Sequence, residues 1–217
     1  MVVRADRRIG PSAVERSAPA ATGAMAAAVE TLQSHLEFVL DERAGHLNAE
    51  QRRFLDVAVR YGDRLVRLAE DLRTIALADA GELEIALGRV DLAAVAQSAV
   101  EHVWPVARVE GKALDLRSDG PVAIEADLRW VERAVVGLLA DAVDATVPGT
   151  SVRLDVRDDS LELGYEGAQP PGDVPLALAD AVARLHGGEL VVGREGPEIS
   201  LLLRLSLAAS AALPAAA

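Results

Sequence analysis

The strongest constraint on the fold is a repeat within residues 48–78, where Phe54, Ala58, Tyr61, Leu65, Leu68, Leu72 and Ile75 succeed one another in alternating steps of four and three. That spacing of about 3.5 residues keeps one apolar seam along a helix and turns it toward a partner, so the stretch is expected to be a bundle helix. Asn48 supplies its start, with Gln51 three residues on: one side chain accepts from an orphan amide and the other reaches back. Upstream, Met25, Val29, Leu32, Leu36 and Val39 repeat the same steps, and only Ala44-Gly45-His46-Leu47 separates the two segments. A connection that short predicts antiparallel neighbours. One hairpin with so narrow a seam leaves apolar side chains uncovered, whereas two copies cover them as a four-helix bundle. A homodimer is therefore expected, with Leu32, Leu36, Val39, Phe54, Tyr61, Leu65, Leu68 and Leu72 in its core.

The chain is long enough for one domain or two, and pattern decides between them. Residues 1–20 mix Arg, Pro, Gly, Ser and Ala without apolar period and read as a disordered leader. The hairpin occupies 21–80, a second domain 81–207, and an alanine-rich flexible tail 208–217. In the second domain helix-period and strand-period segments alternate. After a glycine break at Gly81, Leu83, Ile85 and Leu87 suggest a linker or short edge strand. Asp91 is placed to cap a helix from Leu92 to about Val106, and Ala113, Leu114 and Leu116 suggest a strand. Residues 122–126 form a short strand ended by Asp127, which caps the next helix through Trp130, Val135, Leu138, Ala142 and Ala145. Val152, Leu154 and Val156 alternate, Arg157-Asp158-Asp159-Ser160 turns, and Leu161 and Leu163 return as a hairpin. A Gly/Pro-rich loop over 164–173 leads to a helix over 175–186, and residues 190–192 and 199–205 make a last strand pair. The fold class is α+β, with one mostly antiparallel sheet and helices on one face.

Composition excludes several functions. A net charge of −12 argues against general attraction to nucleic acid or anionic lipid, and solubility alone explains it. With no cysteine there is no disulfide framework or thiolate chemistry, which fits a reducing cytoplasm. No apolar run reaches the roughly 18 residues a membrane span needs, and the arginine-bearing N-terminus lacks an apolar core behind it. A cytoplasmic protein with no membrane contact is expected.

In this order the residues resemble a sensor histidine kinase core, a dimerising helical hairpin followed by an ATP-binding domain of the Bergerat, or GHKL-like, α/β sandwich type. The resemblance runs over about 21–207. It rests on Leu47-Asn48-Ala49-Glu50-Gln51-Arg52-Arg53-Phe54-Leu55 at the second hairpin helix, Val90-Asp91-Leu92 at the domain entry, Leu138-Leu139-Ala140-Asp141-Ala142-Val143 on the N-box helix, and Leu185-His186-Gly187-Gly188 at the last helix end. The resemblance also implies what is altered. The phosphoacceptor histidine falls at Gly23, the two N-box asparagines at Gly137 and Asp141, and the adenine-reading aspartate at Tyr165; the lid segment has shrunk to Ala168-Gln169-Pro170-Pro171-Gly172-Asp173-Val174-Pro175. An adenine pocket needs a carboxylate to accept from the exocyclic amine, where tyrosine offers bulk, and phosphates need glycine amides and a metal. ATP turnover and a bound cofactor are not expected, and Asp141 reads as a solvated acid on a helix surface. The core is thus a degenerate one, similar also to histidine phosphotransferases of this architecture.

Of the four histidines, His35 is the candidate phosphoacceptor, beside Leu32 and Leu36 and followed by the acid Glu37, although it lies about three turns nearer the hairpin turn than the family's position. Its plainer reading is a polar flank of a bundle helix. His46 lies in the connection, His102 on a helix of the second domain, and His186 at a helix end. No closely spaced histidine pair suggests a metal, and Ser34 beside His35 points elsewhere on the helix, so no triad forms. Three functions remain: a module docking a response-regulator receiver or partner kinase, a histidine phosphotransferase, and a structural dimer. For docking, Phe38 falls outside the seam and is expected to be partly exposed beside His35 and Glu37 as an anchor, the alternative being that it packs within its own subunit.

Overall fold

The computed structural model describes residues 13–205 apart from 42 and 44, and the chain divides after Leu83 into two compact units. The flexible tail expected at 208–217, and the first twelve residues of the expected leader, lie outside the described residues, as does the side chain of Met25.

The first unit is a helical hairpin of α1 (Ala13–Leu40) and α2 (Ala49–Asp79). Helix α1 begins well inside the segment read as a disordered leader; its alanines are strong helix formers and outweigh the missing apolar period. The connection runs over residues 41–48, longer than the four residues expected. Asn48 forms the complete capping box: its Oδ1 accepts from Glu50 N at 3.0 Å and Gln51 N at 2.8 Å, while Gln51 Oε1 accepts from Asn48 N at 2.9 Å. Helix α2 carries two neighbouring rows at the same four-three spacing. Leu55, Val59, Gly62, Val66 and Ala69 are buried or half-buried, and Gly62 lies against α1, where a Cβ would meet Gln33 Cγ at 2.9 Å. Gln33 Nε2 donates to Asp63 Oδ1 beside it, a polar contact within an otherwise apolar packing row. The other row is the seam seen in the sequence, one residue earlier and therefore about 100° around the helix. Its Phe54, Tyr61, Leu65 and Leu72 remain exposed at 69, 65, 48 and 40%.

The second unit holds β1 (Gly88–Asp91), α3 (Leu92–Val109), β2 (Ala113–Ser118), β3 (Ala123–Ala126), α4 (Leu128–Ala145), β4 (Ser151–Arg157), β5 (Ser160–Glu166), α5 (Asp173–Leu185), β6 (Glu189–Glu195) and β7 (Glu198–Arg204). Five strands form one sheet in the order β2-β4-β5-β7-β6, antiparallel except for the parallel β2–β4 pair. The stretch 83–87 forms no strand; pairing starts at Gly88, where β1 and β3 make a separate two-stranded ribbon. Strand period fixes which face is covered: Val152, Leu154, Val156, Leu161, Leu163, Tyr165, Ile199, Leu201 and Leu203 all point inward and are buried. They meet Val95, Ala99 and Val103 of α3, Val131, Val135, Leu138 and Leu139 of α4, and Leu178 and Val182 of α5 as one core. The opposite face keeps charge, as in the ion pairs of Arg153 with Glu198 and of Arg204 with Glu189 at 2.9 Å. The whole is the α+β arrangement expected, helices then a mixed sheet.

Helix ends are fixed as the acids predicted. Asp91 Oδ1 accepts from Ala93 N at 3.1 Å, and Asp127 Oδ1 from Arg129 N at 3.1 Å. Lys112, the only lysine in the chain, is buried, and its ammonium bonds Val143 O and Asp144 O, offsetting the negative end of α4.

Candidate functional site

Two places gather the residues singled out in the sequence. The first is the α4–α5 side of the sheet, around Tyr165. Tyr165 is the last inward residue of β5, so strand alternation drives its ring under the helices, and it is 2% exposed. Its hydroxyl donates to Gln169 O at 3.0 Å. Burial, and after it the negative charge of Asp141, push the phenol up to about 12, so Tyr165 stays neutral and keeps donating.

Asp141 is not the solvated acid expected. It is half-buried on α4, and its Oδ2 accepts from Gly172 N at 2.9 Å, tying the start of α5 to α4. The reason is the shortened connection: β5 and α5 are only six residues apart, which brings the Gly172 amide back over α4. Gly137, one turn earlier, faces Pro175, whose Cβ lies 3.9 Å from where a glycine Cβ would stand. Gly137 and Asp141 are thus covered by Pro175 and Gly172 at the start of α5, and Asp141 lies close enough to Tyr165 to act on its hydroxyl. A shallow surface concavity lies around Arg153, lined by Gly111, Gly149, Gly164 and Glu198 and bordered by Tyr165.

His186 ends α5 and is 1% exposed. Asp127 N donates to its Nε2 at 2.9 Å, so Nδ1 carries the proton and donates to Val182 O at 2.7 Å. Nε2 joins α5 to the start of α4 while Nδ1 bonds back within α5, the helix-end role expected, and neither nitrogen is open to a reactant. His102 and His46 are exposed.

The second place is the lower part of α1. His35 is exposed, and its Nδ1 donates to Thr31 O at 2.7 Å, a bond in which Nε2 takes no part. Phe38, three residues on, is 42% exposed, and the Arg43 guanidinium lies 4.7 Å from its ring centroid, a cation–π contact. Glu37 is exposed between them in sequence. Of the remaining seam positions on α1 and α2, Leu32 is 56% exposed, while Leu36, Val39 and Leu68 are half-buried. Gly23 is exposed, with nothing within 4 Å of a Cβ built on it.

Sequence reading missed the partners that make the first place what it is. Gln169, Gly172 and Gly167 lay in a stretch read only as a loop. The one signal was the concentration of glycine and proline, Gly167 and Gly172 bracketing Pro170-Pro171. The Gln33–Asp63 contact across the hairpin left no periodic signal either, because both residues sit where the pattern shows only polar positions.

No family model matches this sequence. The sensor histidine kinase MtrB of Mycolicibacterium paratuberculosis is 28% identical over 207 aligned residues, covering 82% of this chain and 36% of that protein. MtrB of Mycobacterium tuberculosis is 33% identical over 155 residues, covering 69% of this chain and 27% of that protein. The chain therefore spans about a third of the length of the curated relatives it matches. Among solved structures, the histidine kinase AdeS of Acinetobacter baumannii superposes with a TM-score of 0.56 at 20% identity, over 91% of this chain and all of that one. The fold is that of histidine kinase cytoplasmic segments, and the chain is homologous to histidine kinases over the part of them it spans. Among the described residues no helix is long and apolar enough to cross a membrane.

Proposed function

We propose, from this homology with the histidine kinases, that the chain is a two-component signalling module that works by docking a response-regulator receiver or a partner kinase and does not turn over ATP. The observation that carries the reading is Tyr165. Its buried ring and neutral hydroxyl stand at the position where the resemblance puts a carboxylate, so a bulky ring fills the place from which a carboxylate would accept from an adenine amine. Pro175 against Gly137 supports it from the neighbouring helix turn. The module acts as a homodimer, a reading supported by the exposed row of Leu32, Phe54, Tyr61, Leu65 and Leu72. Phe38, framed by Arg43, His35 and Glu37, has the exposed apolar centre and polar rim that a docking anchor needs.

A second reading is favoured by the setting of His35, an exposed side chain whose Nδ1–H is held by Thr31 O, so that Nε2 is the nitrogen left for chemistry. A receiver's aspartyl phosphate could then be attacked by Nε2, forming an N–P bond as the P–O bond to the aspartate breaks and its carboxylate leaves. The chain would in that case be a phosphotransferase. The test is to mix the purified chain with a panel of phosphorylated receiver domains, with Mg-ATP calorimetry alongside. Saturable receiver binding without nucleotide binding supports the docking module. Acid-labile label on the chain that vanishes in His35→Ala supports the relay, and micromolar magnesium-dependent ATP binding refutes both. No receiver binding at all leaves a structural dimer as the account.

A further inference from the structure

Residues 167–172 connect β5 to α5, and four hydrogen bonds from four different places hold them down. The Tyr165 hydroxyl donates to Gln169 O at 3.0 Å, and the Arg194 guanidinium on β6 donates to Ala168 O at 3.2 Å. Gly167 N donates to Pro197 O at 3.0 Å, and Gly172 N donates to Asp141 Oδ2 on α4 at 2.9 Å. Thr146, just past α4, pairs with Gly167 in an isolated antiparallel bridge. Gly167 passes so close that a Cβ there would come within 2.8 Å of Tyr165 Cε2 and 2.9 Å of Ala145 O. Only a glycine lets the chain thread between the tyrosine ring and the end of α4.

A segment that opens and closes over a cleft is drawn from the weakly bonded parts of a fold. This one has the opposite character: it is short, contains Pro170 and Pro171, and is fastened at its start, middle and end. Proline further reduces the conformations available to an opened loop's neighbours. The groups that hold it, the phenol, the carboxylate and the guanidinium, are the kinds of group that elsewhere would face a ligand.

We infer that residues 167–172 are a permanently latched segment, which the Tyr165 hydroxyl, the Asp141 carboxylate and the Arg194 guanidinium hold down so that no opening forms between β5 and α5. The inference deepens the reading that this place takes no nucleotide and rests on the same side chains. Its consequence is a second unit whose surface at Ala168, Gln169 and Pro170 is the same at all times, so that any partner meeting it meets one shape.

Amide hydrogen exchange by NMR on the full chain tests the latch, with and without Mg-ATP. The Gly172 amide is expected to be protected without ligand, to stay so in Asp141→Asn, whose amide oxygen still accepts, and to exchange about tenfold faster in Asp141→Ala. Tyr165→Phe, which removes only the hydroxyl, is expected to speed Gly172 severalfold while the Leu163 amide in the core strand is unchanged. Should Asp141→Ala unfold the unit, seen as loss of Leu163 protection, Tyr165→Phe still decides, with Asp141→Asn as the unchanged control. The latch is overturned if Gly172 exchanges in the unmodified chain like an unstructured glycine, if Asp141→Ala and Tyr165→Phe both leave it unmoved, or if it becomes protected only when Mg-ATP is added. Protection without nucleotide, together with measurable Mg-ATP binding, would refute the nucleotide-free reading and leave the latch standing.

Discussion

Replacing Leu65 by alanine separates the proposed dimer from the fold of the hairpin itself. Leu65 is 48% exposed in the single chain, so about half of its side chain is already packed and half awaits a partner. Fully burying a leucine contributes roughly 2 kcal/mol. The outer half is then worth about 1 kcal/mol per copy, or about 2 kcal/mol for a dimer in which both copies contribute. At 1.4 kcal/mol per factor of ten, the dissociation constant should rise by roughly 20- to 30-fold. The hairpin's own stability should fall by only about 1 kcal/mol, for the half already inside. Leu68→Ala is the contrast, because Leu68 is half-buried within the hairpin and more of its loss should appear as unfolding than as dissociation. Sedimentation equilibrium over a dilution series, with urea melts of the same samples, reads both quantities. An unmodified protein that is monomeric at micromolar concentration refutes the reasoning. So does a Leu65→Ala variant whose dissociation constant is unchanged while its melt shifts as far as that of Leu68→Ala.

Phe38→Ala should leave the dimer intact and weaken receiver binding severalfold by calorimetry, whereas His35→Ala should change nothing unless phosphotransfer occurs. Alkali should destabilise the second unit: Tyr165 titrates at about 12 when folded against an ordinary 10, so the unfolded chain releases its proton first and stability falls as pH rises from about 10 to 12, by roughly 2–3 kcal/mol, a fall that Tyr165→Phe should abolish in pH-dependent urea melts. Lys112→Met should cost roughly 2–3 kcal/mol, because the Val143 and Asp144 carbonyls lose a buried cation; since Lys112 is the chain's only lysine, its rate of acylation reports directly on opening of that site. Asn48→Ala should cost about 1 kcal/mol of hairpin stability in thermal melts by removing the capping box.

Local chemistry made much of this protein legible. The four-three spacing along α2, the Asn48–Gln51 box, and the Asp91 and Asp127 caps are interactions among residues a few positions apart, and each formed as the sequence implies. Strand alternation likewise fixed that Val152, Leu154, Val156, Leu161 and Leu163 share one face, since the period of two depends on nothing distant. What the sequence could not express is which of two overlapping rows on α2 meets α1, because rows one residue apart carry the same period. The Gly62–Gln33 approach, a contact 29 residues apart, decided it in favour of Leu55, Val59, Gly62 and Val66 and left Phe54, Tyr61 and Leu65 outward. The α1 start at Ala13 went unseen because propensity without an apolar face leaves no periodic trace.

The candidate site divides in the same way. The resemblance pointed to Gly137, Asp141 and Tyr165; the first two lie on a helix that the sequence already showed, whereas Tyr165, read as the start of a loop, ends β5 because the strand runs on through Glu166. Sequence could not tell that Asp141 would bond an amide 31 residues away, that the Tyr165 hydroxyl would turn to Gln169, or that Arg194 would reach Ala168 from another strand. Those bonds depend on how closely α4, α5 and the ends of β5 and β6 approach. That approach is set by the side chains packed between them, such as Pro175 against Gly137, and so belongs to the tertiary structure alone.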